Sequence, residues 1–412
     1  MINERLVIEN FGPIKFIDLN LGKITILIGE QATGKSTIAK VLAICRYFSY
    51  IVNYSIPLRE FSQFHENEQF VEGLRDWGIE DFLSTDSRIT YENLLYKLEV
   101  KNRLEVEYEK VTDEGDDYKK EYFRLFTKLT AFSESFKGLL NQLEQLKNDE
   151  VKTKDADFYF FGNRGWTPNE NFYRLNVKKI MDNPMYIPTE RVLQSISFGN
   201  NLLVSNSLQH ELSKLSRITR ESSADMIIEP LSLIYRNRSG LGYVKKENEK
   251  EYHLLHNGAS GFQSTIPIVL ALKFYSKRKR TFIVEEPEIN LFPKAQKKLM
   301  EFFVQSVNDF GQSFLLPTHS PYVLSSLNNM IYAYSLGNVE SGKYRKKVNE
   351  IIPEKFWINA EDVSAYYLKE DIAVDIMNRE ESLIKIDDLD NVSEIINREF
   401  DELLNIEVEN EC

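Results

Sequence analysis

Residues 29–36 read Gly-Glu-Gln-Ala-Thr-Gly-Lys-Ser and lie between an apolar run, Ile24 to Ile28, and a helix-like stretch, Thr37 to Cys45. A strand that turns through glycines into a helix lets successive backbone N–H groups surround a phosphate at the positive end of the helix dipole. In such a loop Lys35 supplies a point charge and Ser36 a hydroxyl for Mg²⁺. The strand, turn and helix order predicts an α/β fold built around a nucleotide-phosphate loop.

About 245 residues later, Phe282, Ile283 and Val284 form an apolar run that ends in two carboxylates, Glu285 and Glu286, followed by Pro287. Beside a phosphate loop, the first acid belongs near Mg²⁺ and the second near the γ-phosphate, where it orients and deprotonates water. Successive strand residues point to opposite faces, so both acids serve one site only if the strand ends there. Upstream, Asn257 to Ser264 is a small polar turn that opens a helix over Thr265 to Tyr275. Alone it reads as an ordinary helix start; with the phosphate loop it offers free N–H groups and the Ser260 hydroxyl to a phosphate. Downstream, Leu315 to Pro321 reads as a strand end and a turn, placing His319 to sense or polarise the γ-phosphate.

These four segments, in this order and with a long insertion between the first two, resemble the ABC-type ATPase head. The opening LVIENFGPIK (Leu6 to Lys15) and the FIVEEPEINLFP segment (Phe282 to Pro293) resemble the RecF, SMC and OLD branch. The resemblance implies a mixed sheet with flanking helices, and ATP and Mg²⁺ as ligands. It assigns Gly29, Ala32, Thr33, Gly34, Lys35, Ser36 and Thr37 to phosphate binding, Ser36 and Glu285 to the metal, and Glu286 and His319 to catalysis. It also implies that Ser260, Gly261 and Gln263 complete the site of a second copy, so that hydrolysis needs a homodimer or a higher homo-oligomer. Asn290 stands where the branch usually has His, and no Gln marks a Q-loop; the nearest counterpart is Tyr186 to Arg191, YIPTER, similar to OLD-like and PtuA-like ATPases. The residues after Tyr334 are too few for the Toprim nuclease domain of complete OLD proteins. The resemblance therefore implies an anti-phage ATPase with a separately encoded effector, a nuclease or toxin, the alternative being a RecF-like DNA clamp.

The 412 residues, 42% of them hydrophobic, suffice for a large core, and Cys45 and Cys412 form no disulfide framework, which fits a reducing, cytoplasmic setting. No basic-then-apolar leader and no long apolar run argue for secretion or membrane insertion. Residues 361–412 carry 17 acidic and 4 basic side chains, which leaves the rest near neutrality. Ile396, Phe400, Leu403 and Leu404 fit an amphipathic helix there, either docked or solvated. The expected organisation is a split head (1–45 and 180–350), an insertion (46–179) and an acidic helical tail (351–412). Within the insertion, alternation over Arg88 to Val111 predicts a small antiparallel side sheet, and apolar spacing over Tyr118 to Leu146 a helical arm whose mate is Leu203 to Ser223. The basic runs Lys277 to Arg280 and Lys343 to Lys347 are candidate contacts to DNA or RNA phosphates or ordinary exposed charges.

Overall fold

The structure is a computed structural model that describes residues 4–55, 66–93, 96–101, 105–110, 184–195, 205–221, 225–276, 280–339, 342–385 and 398. The expected arm over 118–146 and the terminal amphipathic helix around Ile396 lie outside the described residues, apart from Arg398.

The apolar run before the phosphate loop becomes strand β3 (Ile24–Gly29), every residue of which is buried. It lies between β13 (Ser313–Thr318) and β14 (Val363–Lys369), parallel to both. β12 (Thr281–Val284) pairs in parallel with β13 on one side and with β7 (Met185–Ile187) on the other. On the far side β14 turns back antiparallel into β15 (Ile372–Asp375), which meets β2 (Ile14–Asn20). From there β1 (Arg5–Phe11), β4 (Leu83–Glu92), β5 (Tyr96–Lys101) and β6 (Glu105–Lys110) extend the sheet antiparallel to eleven strands. The fold is thus mixed α/β.

Both faces of this sheet are covered, which is why its central strands read as continuous apolar runs. Ile24, Ile26 and Ile28 with Phe282, Val284, Phe314 and Leu316 face one core. Leu27, Ile283 and Leu315, the residues between them, face a second core that contains helix α1 (Lys35–Ser55) and helix α2 (Glu66–Asp76). The first core is roofed by α3 (Asn206–Glu221), α4 (Ser260–Phe274), α5 (Pro293–Phe310) and α6 (Pro321–Gly337). A four-stranded antiparallel sheet of β8 (Met226–Ile228), β9 (Leu233–Arg238), β10 (Leu241–Lys246) and β11 (His253–Leu254) packs with them. Each fully buried Phe or Leu in these layers contributes about 1.5–3 kcal/mol of burial.

Three expected boundaries move. The first helix continues past residue 45 to Ser55. The side sheet exists, but β4 pairs with β1 through Ile8↔Ile89, so it extends the head sheet rather than standing apart. The segment from 351 is not a helical tail over its described part: after the short helix α7 (Arg345–Ile351) it supplies β14, adjacent to the phosphate-loop strand. Its acids occupy turns, such as Glu370 and Asp371 between β14 and β15, while Val363, Ala365 and Leu368 are buried. Net charge masked a buried strand.

Candidate functional site

The phosphate loop closes between β3 and α1 with unusual backbone angles: Ala32 and Gly34 have φ of 63° and 90°. Gly29 is needed for close approach, because a Cβ there would stand 2.4 Å from the backbone oxygen of Leu368 on β14. Lys35 is buried and its Nζ donates to the carbonyls of Gly29 (2.7 Å) and Glu30 (2.5 Å). Burial pulls its ammonium down to about 8, against the opposing pull of Glu286, Glu288 and Glu30. A buried ammonium ringed by carbonyls and carboxylates is a cation prepared for an anionic guest. Ser36 is exposed at the loop's outer side and Thr37 is buried behind it.

The acid pair adopts the geometry that alternation alone forbids. Strand β12 ends at Val284, and Glu286 has φ of 41°, a left-handed conformation that swings it out of the strand direction. Such an angle in a non-glycine residue costs about 1–3 kcal/mol and persists only where the surroundings enforce it. Two backbone bonds enforce it: Glu285 N–H donates to Ile187 O at 3.0 Å, and Glu286 N–H donates to Pro317 O at 2.8 Å. The Glu285 carboxylate is buried, which pushes its pKa up, while Ser36, Tyr186 and Lys40 pull it back. Its Oε1 has no hydrogen-bond partner among the described residues. Glu286 is half-buried, with Oε1 3.8 Å from His319 Nε2. His319 is oriented through its backbone, whose N–H donates to Glu288 Oε1 at 2.7 Å. Ser320 caps α6, accepting from Tyr322 N–H at 3.2 Å, and its hydroxyl donates to Gln296 Oε1 at 2.5 Å.

The small polar turn starts α4 directly at Ser260, earlier than the helix start expected at Thr265. Ser260 is exposed, whereas Gly261 is buried against the acid turn, where a Cβ would stand 2.6 Å from Asn290 O. Ser264 Oγ reinforces this contact by donating to Ile289 O at 3.0 Å. Gln263 is turned into its own loop, with Nε2 donating to His256 O (3.2 Å) and Gly258 O (2.9 Å). The structure therefore brings Lys35, Ser36, Glu285, Glu286 and His319 together, and joins Gly261 to the acid turn from behind.

Sequence reasoning marked Tyr186 to Arg191 only as the nearest Q-loop counterpart and missed the role its residues have in organising this site. Arg191, the last residue of YIPTER, is fully buried. Its Nε donates to Ser264 O (2.8 Å), one terminal nitrogen to Pro188 O (3.0 Å) and Glu285 O (2.7 Å), and the other to Glu286 O (2.7 Å). Burial holds the guanidinium down to about 10, while Glu288, Glu285 and Glu286 favour its charge. One side chain thus ties the helix carrying Ser260 to the backbone of both acids. Tyr186, from the same segment, and Glu288 are the other two; the signal for the segment was its similarity to OLD-like and PtuA-like ATPases, and Glu288 was not singled out.

The basic runs fare differently from each other. Arg280 is buried, with its guanidinium 3.8 Å from the centre of the Tyr275 ring, so it is not a surface phosphate contact; residues 277–279 lie outside the described residues. Lys343, Lys346 and Lys347 are exposed, while Arg345 pairs with Glu354 and lies over Trp357. Among the described residues no helix is long and apolar enough to cross a membrane.

A glycine-bent loop with a buried lysine, facing a strand that ends in two carboxylates, defines the nucleotide site of a P-loop ATPase. A family profile described as "AAA domain, putative AbiEii toxin, Type IV TA system" matches residues 24–325, and the chain belongs to that family. Solved structures with a similar trace include the SMC head bound to the C-winged helix domain of ScpA (9% identity, 92% of this chain and 98% of that chain, TM-score 0.42). Others are the SMC head domain from Thermotoga maritima (8%, 91% and 98%, 0.39) and the Pyrococcus furiosus Smc head with an extended coiled coil bound to the C-terminal domain of ScpA (8%, 96% and 99%, 0.38). No curated protein matches the sequence.

Proposed function

We propose that this chain is the ATP-binding and hydrolysing subunit of a bacterial anti-phage system, an OLD-like or PtuA-like ATPase whose paired heads control a separately encoded nuclease or toxin. The observation that carries the ATPase reading is the convergence of Lys35, the buried Glu285 beside Ser36, and the Glu286–His319 pair. The family's description, with its toxin and type IV toxin–antitoxin terms, supports the biological role.

In this reading Gly29, Ala32, Thr33, Gly34, Lys35 and Thr37 hold the phosphates of ATP through loop N–H groups and the lysine charge. The residues suit Mg²⁺: Glu285 presents a buried carboxylate oxygen lacking a hydrogen-bond partner among the described residues, beside the Ser36 hydroxyl. Ser36 and Glu285 would hold Mg²⁺, which would supply positive charge to offset that of the phosphates. Glu286 accepts the proton of the attacking water, and His319 polarises the γ-phosphate. Exposed Ser260, with Gly261 and Gln263 behind it, serves the nucleotide of a second head, so the working unit is a homodimer or a higher assembly.

The experiment is affinity purification of tagged Glu286→Gln protein from its native host with ATP present, reading proteins by mass spectrometry and nucleic acid by nuclease-sensitive staining. A stoichiometric nuclease or toxin supports the proposal. DNA with repair factors and no such partner replaces it with a RecF-like clamp.

A further inference from the structure

Among the buried polar groups that the mechanism above leaves unused, Tyr186 lies nearest the acid pair in the sheet. Tyr186 lies on β7 opposite Ile283 of β12, and Glu285, two residues beyond Ile283, projects toward the same face of the sheet. Glu285 N–H also donates to Ile187 O at 3.0 Å, which locks the two strand ends together. The Tyr186 ring is fully buried and packs on Trp77 with centroids 4.5 Å apart. Its hydroxyl has no hydrogen-bond partner among the described residues, and neither has Glu285 Oε1. A buried phenol with an unused O–H beside a buried carboxylate with an unused oxygen is a donor and an acceptor in reserve.

We propose that Tyr186 is the positioning residue of the cation-holding carboxylate: its O–H donates to Glu285 and fixes which carboxylate oxygen faces the Ser36 hydroxyl. The inference rests on the reading of Ser36 and Glu285 as the holders of Mg²⁺. Carboxylates that ligate metals are themselves held by hydrogen bonds from outside the ligand set, and removing such a bond weakens metal affinity by about 10–100-fold. Tyr186 suits that task because a phenol offers one O–H to donate and its ring is held in place against Trp77. Its strand is anchored by the same YIPTER segment through Arg191, whose guanidinium holds the Glu285 and Glu286 carbonyls. One segment thus holds the acids twice, by backbone through Arg191 and by side chain through Tyr186.

Tyr186→Phe removes only the hydroxyl and keeps the ring on Trp77. The test is Mn²⁺ binding by the full chain, followed by electron paramagnetic resonance in the presence of a non-hydrolysable ATP analogue. About tenfold weaker Mn²⁺ binding is expected, with melting temperature and metal-free nucleotide affinity unchanged. Trp77→Leu, which disturbs the ring's packing but retains the phenol, should lower the melting temperature and leave Mn²⁺ affinity near wild type. Wild-type Mn²⁺ affinity in Tyr186→Phe, or an equal loss in both variants, overturns the positioning role. Glu285→Gln separates the two levels: if it too binds Mn²⁺ as wild type does, the metal-site reading itself fails, whereas its loss beside an unaffected Tyr186→Phe refutes only the inference.

Discussion

Arg191→Lys keeps a positive charge at the buried junction but replaces a planar fork with a single point donor. The four acceptor carbonyls, Pro188, Ser264, Glu285 and Glu286, are served by three different nitrogens at 2.7–3.0 Å. A lysine ammonium in the same cavity reaches about two of them, and each of the two orphaned carbonyls costs about 1–3 kcal/mol, giving a loss of about 2–6 kcal/mol. For a chain of this size that is a fall in melting temperature of about 2–7 °C. Because two of the carbonyls belong to the acid pair, turnover should fall further than nucleotide affinity. The assay pairs thermal unfolding with steady-state hydrolysis. Arg236→Lys is the comparison: its pair with Asp225 lies at the surface, where solvent screens it, and its melting should barely move. If Arg191→Lys melts within 1 °C of wild type and hydrolyses ATP normally, the clamp does not hold the acid turn.

Four further outcomes are expected. Glu286→Gln should bind ATP as wild type while turnover falls about 10²–10⁴-fold, the share that a positioned base supplies; undiminished turnover refutes the base assignment. Lys35→Ala should weaken ATP binding by at least about tenfold, or about 1.4 kcal/mol, in equilibrium titration, and unchanged affinity contradicts the phosphate-loop reading. Gly261→Ala drives a methyl against Asn290 O, 2.6 Å from the ideal Cβ position, and should cost about 1–3 kcal/mol in unfolding experiments together with activity. Burial, with Lys214 and Arg217 adding to it, holds the His210 imidazole down to about 4, below its ordinary 6.5. The unfolded chain therefore takes up a proton first, and this group's contribution to stability is lost as pH falls from about 6.5 to about 4. His210→Gln should flatten denaturant midpoints across that window, and an unchanged slope refutes the assignment.

The parts of the fold legible in the sequence were those whose residues announce their own surroundings. The wholly buried β3 and β12 appear as unbroken apolar runs, and the loop between β3 and α1 is spelled by glycine, lysine and serine. Glu285, Glu286 and His319 were singled out because they are ionisable side chains at a strand end and a turn, which the sequence spells directly. Arg191 was legible only as the end of YIPTER; its clamp was not, because its partners are backbone carbonyls, most of them far along the chain, and a carbonyl has no letter in a sequence. Strand β14 was hidden differently: Val363, Ala365 and Leu368 are apolar, but the acids in the neighbouring turns dominated a window read for charge. The small β8–β11 sheet escaped as well, its strands being two to six residues long and partly exposed.

The position of β14 beside β3 bears on how the protein is made. Ile24 through Gly29 leave the ribosome some 340 residues before Val363 to Leu368, the strand that pairs with one of their two edges. Until then the loop-bearing strand has an open edge, and the Leu368 oxygen against which Gly29 is fitted does not exist. Pairings so distant in sequence close slowly. A nascent chain interrupted anywhere before residue 363 should therefore lack a finished nucleotide pocket, so that truncated translation products remain silent.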